Sequence, residues 1–248
     1  MGSAPNKKPI KLTRLHLEVS GDGEKDIGAL QLLTNFSLLN NYDIVVSMQQ
    51  ALDIKTAFNW HSELFTESPE EQYCQTRDVF EGRLSKLPMF AQAAAGITPN
   101  ESYLMAAVIG ELGANCYDHN LGHWRHEPGL LFGYTANLKQ IFIWICDRGR
   151  GVHESLSAVH NNIGNPQEAL ELAFQRKISG RFPEQRGNGL KFVRQVINCE
   201  QQRGLWCSSG LASLSFGKKA SEATSLALSL QKLPNLGGTM TLVLWCGV

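Results

Sequence analysis

The sequence predicts an α/β sandwich in which helices cover one face of a mixed, largely antiparallel sheet. Three observations carry that reading. Two apolar runs of strand length, Gln140 to Cys146 and Gly238 to Trp245, are bounded by turn-forming residues. Between them, Gly189 to Gln202 places Leu190, Val193, Val196 and Ile197 at helical spacing. Upstream, Thr98-Pro99-Asn100-Glu101 reads as a helix start, with Thr98 as N-cap, Pro99 in the first helical position and Glu101 closing a capping box. Helices interleaved with hairpin-like strands make an open sandwich.

Taken in order, residues 1–10 form a polar tail bearing Lys and Pro, and Leu15, Leu17 and Val19 alternate as a short strand ended by Gly21-Asp22-Gly23. From 26 to 65 the apolar residues recur at helical spacing (Leu30, Leu33, Phe36, then Ile44, Met48, Leu52), with a break near Asn40-Asn41. Pro69 to Ala95 reads as a helix or helix pair broken near Pro88. The helix opened by Thr98 runs to about Asp118. Leu130 to Thr135 and Gln140 to Cys146 are strands joined by a turn at Asn137, and Pro166 to Arg176 is a helix in a polar insertion. After the helix from Gly189, three strands close the chain: Leu205 to Phe216, Thr224 to Leu233, and Gly238 to Trp245. The organisation expected is a strand and helical region over 1–98 and an α/β domain over 99–248.

The chain has 248 residues, enough for a sizeable core. Lys+Arg and Asp+Glu balance at 23 each, so net charge gives no argument for nucleic acid or an anionic membrane. No apolar run reaches membrane-spanning length, and the basic N-terminus carries no apolar secretory segment. The six cysteines form no Cys-x-x-Cys pair and sit mostly among apolar residues, which fits a reducing cytoplasm.

Four segments carry candidate chemistry. Glu111 and Asn115 are four apart on one helix face, with Asp118 and His119 extending the polar strip. A carboxylate there can take a proton from water or a hydroxyl, and an Asn carbonyl is a hard oxygen ligand suited to Mg²⁺. Asp147 ends the apolar strand and needs a donor such as an exocyclic amine, while Gly149 and Gly151 let the backbone turn closely around a base. Gly187-Asn188-Gly189-Leu190 leads into a helix whose N–H groups suit phosphates, flanked by Arg186 and Lys191. Gly238-Thr239 opens the last strand and offers a hydroxyl to phosphate or base. Singly, a solvated helix face accounts better for Glu111 and Asn115 and an Asx turn for Asp147, while a simple loop and an ordinary turn serve for the last two segments. Together they fit one ligand with an amine, a polyphosphate and a divalent metal, most simply ATP with Mg²⁺.

These four segments, in order, resemble the GHKL superfamily of ATP-binding domains, also called the Bergerat fold, which includes gyrase, heat-shock chaperone, mismatch-repair and histidine-kinase domains. GELGANCYDH resembles the N box, ICDRGRGV through Val152 the first glycine box, RGNGLKFV the second, and GGTMTLVL the closing strand. The resemblance covers about Asn100 to Val248 and makes 152–186 the ATP lid. It implies a two-layer sandwich, Glu111 as the catalytic base, and Asn115 as the Mg²⁺ ligand. ATP contacts would come from Asn115, Asp118, His119, Asp147, Gly149, Gly151, Val152, Arg186, Gly187, Asn188, Gly189, Leu190 and Thr239. Within the superfamily the Glu-x-x-x-Asn-x-x-x-His pattern is similar to anti-sigma-factor serine kinases, and no His-Glu phosphoacceptor motif precedes the N box. That implies phosphoryl transfer to a Ser or Thr of a regulatory partner resembling an anti-sigma antagonist, and leaves a homodimer open. Cys116, where Ala or Ser is usual, and Gly113 inside the helix depart from the pattern.

Two other functions are compatible with the same motifs: an ATP-hydrolysing conformational switch in which Glu111 activates water, and an ATP-gated binding module without chemistry. His119, His123 and His126 are spaced for a helix end more than for a metal site. Arg176 to Arg181 is a basic stretch placed to close over phosphates or to remain a solvated loop.

Overall fold

The computed structural model describes residues 48–62, 69–124, 127–137, 139–160, 163–175, 188–199, 202–230 and 237–247, with side chains from residue 54 onward. The expected strand at Leu15 to Val19 and the helical spacing before Met48 lie outside these residues, as does the basic stretch Arg176 to Arg181.

The elements are α1 (Met48–His61), β1 (Tyr73–Cys74), α2 (Arg77–Leu84), α3 (Leu87–Ala95), α4 (Pro99–Asn120), β2 (Leu130–Ala136) and β3 (Gln140–Asp147). They continue with α5 (Gly151–Ser157), α6 (Pro166–Gln175), α7 (Gly189–Ile197), β4 (Arg203–Ser209), β5 (Ala212–Phe216), α8 (Ala220–Leu230) and β6 (Thr239–Cys246). The six strands form one sheet in the order β1-β2-β3-β6-β4-β5, and every neighbouring pair is antiparallel.

The expectation of helices on one face only is corrected. Successive side chains of a strand point to opposite faces, and both faces are covered. On one face Ile141, Ile143, Ile145, Val243 and Trp245 pack with residues of α2, α3, α4, α6 and α7. On the other, Phe142, Trp144, Cys146, Leu242 and Leu244 pack against Ile54, Phe58 and Trp60 of α1 and Leu226, Ala227 and Leu230 of α8. Burial on both sides is the physical reason that β3 and β6, at the centre, read as unbroken apolar runs and not as alternating ones.

Of the strand expected at Thr224 to Leu233, residues 224–230 are helical and belong to α8, and 231–233 lie outside the described residues. Leu226, Leu228 and Leu230 alternate as a strand would, but Ala223, Leu226, Ala227 and Leu230 form a helical stripe that is buried, while Leu228 is exposed. Filling the back face with this stripe outweighs local alternation, because each fully buried Leu contributes about 1.5–3 kcal/mol. The single strand expected over Leu205 to Phe216 is a hairpin, β4–β5, turning at Gly210 with φ of 59°. The helix expected to Gln202 stops at Ile197. The helix pair over 69–95 is present but preceded by the two-residue strand β1, which pairs with β2, and Pro88 sits in the first turn of α3.

Helix α4 positions the site and is tied at both ends. Its 22 residues span ~33 Å. At the start, the Thr98 hydroxyl accepts the Glu101 N–H at 3.4 Å, as expected. The Glu101 carboxylate does not close the capping box; it accepts from the Arg203 guanidinium and, at 3.2 Å, from Trp245 Nε1. Arg203 is buried and lies over the Trp245 ring, so an unpaired cation there would be costly, and its demand for a carboxylate outcompetes the cap. Gly113 is explained by packing: a Cβ there would collide with the Phe80 ring.

Candidate functional site

At the end of the sheet opposite Glu101, three strand ends come level. Thr239 at the start of β6 stands opposite Asp147 at the end of β3 and opposite Ser209 at the end of β4. A cavity of about 320 Å³ opens there, between these strand ends and α4, α5, α6 and α7. That volume lies in the range of small-molecule pockets.

The α4 wall carries Glu111, Asn115, Asp118, His119 and Asn120. Among the described residues the exposed Glu111 carboxylate makes no hydrogen bond or ion pair. Asn115 Nδ2 donates to the Glu111 carbonyl at 2.6 Å, which commits its donor end and leaves Oδ1 as acceptor. Asp118 is ion-paired with Arg77 of α2, a cavity residue that the sequence reading did not identify. His119 Nδ1 shares a 3.0 Å hydrogen bond with the buried Ser155 of α5. Among the described residues no group of three His, Cys, Asp or Glu side chains is arranged to hold a metal by itself.

Asp147 forms the floor. It is buried, and Oδ1 accepts from the Gly149 N–H at 2.8 Å and from Asn120 Nδ2 at 2.9 Å. Burial pushes its carboxyl up to about 6, opposed by donors from Gly149, Cys116, Asn120 and Thr239. Cys116 and Cys207 line the same floor; burial drives the Cys116 thiol well above its ordinary range and Cys207 up to about 12, so both stay protonated.

The glycine segments meet the cavity from two sides. Gly151 and Val152 line it at the start of α5, and the Val152 N–H donates to Ser209 Oγ at 2.8 Å. Ser209 Oγ in turn donates to the Gly238 carbonyl at 3.0 Å. Gly189 and Leu190 line it at the start of α7, and a Cβ on Gly189 would run into the Glu111 carboxylate. Asn188 is the N-cap residue but forms no side-chain cap, so no Asn188 side chain occupies the first-turn N–H groups of α7.

Of the residues expected at one site, Glu111, Asn115, Asp118, His119, Asp147, Gly151, Val152, Gly189, Leu190 and Thr239 do line one cavity. Gly149 and Asn188 do not line it: Gly149 packs behind Asn120, and Asn188 is exposed at the helix start. Arg186 and Gly187 lie outside the described residues. Arg77, Asn120 and Ser155, which line it, were missed, as was Ser209, which ties Val152 to Gly238 beside it. Asn120 sits next to His119 at a helix end, a visible signal; Ser209 is brought in only by strand pairing. Among the described residues no helix is long and apolar enough to cross a membrane. No protein-family model and no curated protein sequence matches the chain.

Proposed function

We propose that the chain binds ATP with Mg²⁺ in this cavity and transfers the γ-phosphoryl group to a Ser or Thr hydroxyl of a regulatory partner protein, as a GHKL-type kinase. The observation that carries the reading is convergence. Glu111 and Asn115, Asp147 and Gly151, Gly189 and Leu190, and Thr239 come from four separated segments and line one cavity. The chemistry is laid out along it. A buried carboxylate at one end accepts the exocyclic amine of adenine. The α7 N-terminus, without a side-chain cap, favours the charge of the phosphates. Asn115 Oδ1 would hold the Mg²⁺, which when bound neutralises phosphate charge. Glu111 takes the proton of the attacking hydroxyl as its oxygen bonds to the γ-phosphorus and ADP leaves.

The test is incubation of the full chain with γ-labelled ATP, Mg²⁺ and candidate partner proteins. Label transferred to a partner Ser or Thr supports the kinase. Free labelled phosphate alone replaces transfer by hydrolysis, and absence of Mg²⁺-ATP binding sinks the proposal.

A further inference from the structure

We infer that Asn120 is a positioning residue that makes the cavity select a base bearing an exocyclic amine, by donating to Asp147 and so fixing its carboxylate as an acceptor; this rests on the nucleotide reading above. Asn120 is buried, and both ends of its amide are used. Its Oδ1 accepts the Arg150 backbone N–H at 3.1 Å and its Nδ2 donates to Asp147 Oδ1 at 2.9 Å. A backbone N–H can only donate, so Arg150 dictates which end of the amide is oxygen, and the end facing Asp147 must be the donor.

Two donors, Asn120 Nδ2 and the Gly149 N–H, therefore converge on Asp147 Oδ1. The Thr239 N–H adds a further donor to the carboxylate. With two donors fixed on Oδ1, the ionised carboxylate can offer a ligand only acceptor capacity, which is what an amine needs. A base with a keto oxygen in that place would face acceptor to acceptor. The fit is mutual, since a Cβ on Gly149 would collide with the Asn120 amide.

The thiols near Asp147 do not titrate in the same range, and His119, the neighbour of Asn120 on α4, turns Nδ1 to Ser155 Oγ at 3.0 Å. Cys116 of α4, Cys146 of β3 and Cys207 of β4 are all held protonated by burial. Arg148 directs its guanidinium to the Trp60 carbonyl of α1.

The experiment is calorimetric titration of Mg²⁺-ATP and Mg²⁺-GTP into the full chain, as wild type, Asn120→Asp and Asn120→Ala, across roughly pH 5 to 8. Wild-type ATP affinity is expected to rise with pH as Asp147 ionises around its value of about 6. Asn120→Asp keeps the size and the acceptor for Arg150 but donates to Asp147 only while protonated. Its ATP affinity is expected to fall as pH rises, and to be about tenfold weaker than wild type at the upper end. Asn120→Ala is expected to narrow the ATP-over-GTP preference by roughly tenfold. A wild-type pH slope in Asn120→Asp, or an unchanged nucleotide preference in Asn120→Ala, overturns the inference. The second variant decides alone if the first fails to fold. A wild-type chain that binds no ATP at any of these pH values removes the nucleotide reading itself, and the inference with it.

Discussion

Ser209 on β4 accepts the Val152 backbone N–H at 2.8 Å, joining the start of α5 to a strand distant in sequence. The same hydroxyl donates to the Gly238 carbonyl, so one buried side chain holds the first glycine segment against the last. Ser209→Ala leaves both partners short of a hydrogen bond and is expected to cost about 1–3 kcal/mol of stability. Urea denaturation measures it; a loss below a few tenths of a kcal/mol would mean that water replaces the hydroxyl.

Asp147→Asn is expected to weaken ATP binding by about 1–3 kcal/mol, because a charged acceptor for the amine becomes a weaker and partly mismatched one. GTP is expected to bind the wild type much less well. Titration of both nucleotides checks this, and equal wild-type affinities would exclude the adenine role.

The same group ties stability to pH. Its folded value is about 6 against an ordinary 3.8, raised chiefly by burial. A raised carboxyl binds its proton more tightly in the folded state, so its contribution is fully present below the ordinary value and is lost as pH rises through about 6. The nucleotide-free protein is expected to lose on the order of 3 kcal/mol from this group between those limits. Asp147→Asn, which cannot ionise, is expected to flatten that part of the stability profile in denaturant melts at a series of pH values. An equal slope in both proteins would contradict it.

Asn115→Ala is expected to remove Mg²⁺-dependent tightening of ATP while leaving the fold intact, since Asn115 is only half-buried and its Nδ2 bonds within its own helix. ATP titrations with Mg²⁺ and with chelator check it; Mg²⁺ dependence that survives the change makes Asn115 an ordinary face residue.

Glu111→Ala separates binding from chemistry. ATP affinity is expected to stay within a few-fold and turnover to fall by roughly 10²–10⁴, the range for a positioned general base. Turnover within about twofold of wild type, for transfer and hydrolysis alike, would end the catalytic role and favour an ATP-gated binding module.

On the far face of the sheet, Leu226→Ala is expected to cost about 2–5 kcal/mol, as for a buried leucine in a packed core. A thermal or urea melt measures it. Leu228→Ala, on the exposed side of the same helix, is expected to change stability by less than about 0.5 kcal/mol. Equal losses would show that the helix does not present these faces.

Local chemistry made much of this legible in the sequence. The Thr98 cap, the apolar runs of β3 and β6, the Asn137 turn and the helix from Gly189 are set by propensity, capping and periodicity within a few residues. The order of the four motifs was enough to anticipate ten cavity residues, because each motif carries its own requirement for a carboxylate, an amide or a glycine. What tertiary structure decided is who partners whom. Only the second helical layer, α1 and α8, turns the alternating leucines of 224–230 into a helix, since burying their i, i+3, i+4 stripe outweighs local alternation. Only strand pairing brings Ser209 level with Asp147 and Thr239. Only the burial of Arg203 draws Glu101 away from its cap, and only the Arg150 N–H orients Asn120 toward the carboxylate. In each case a long-range partner supplies free energy that no neighbouring residue in the sequence supplies.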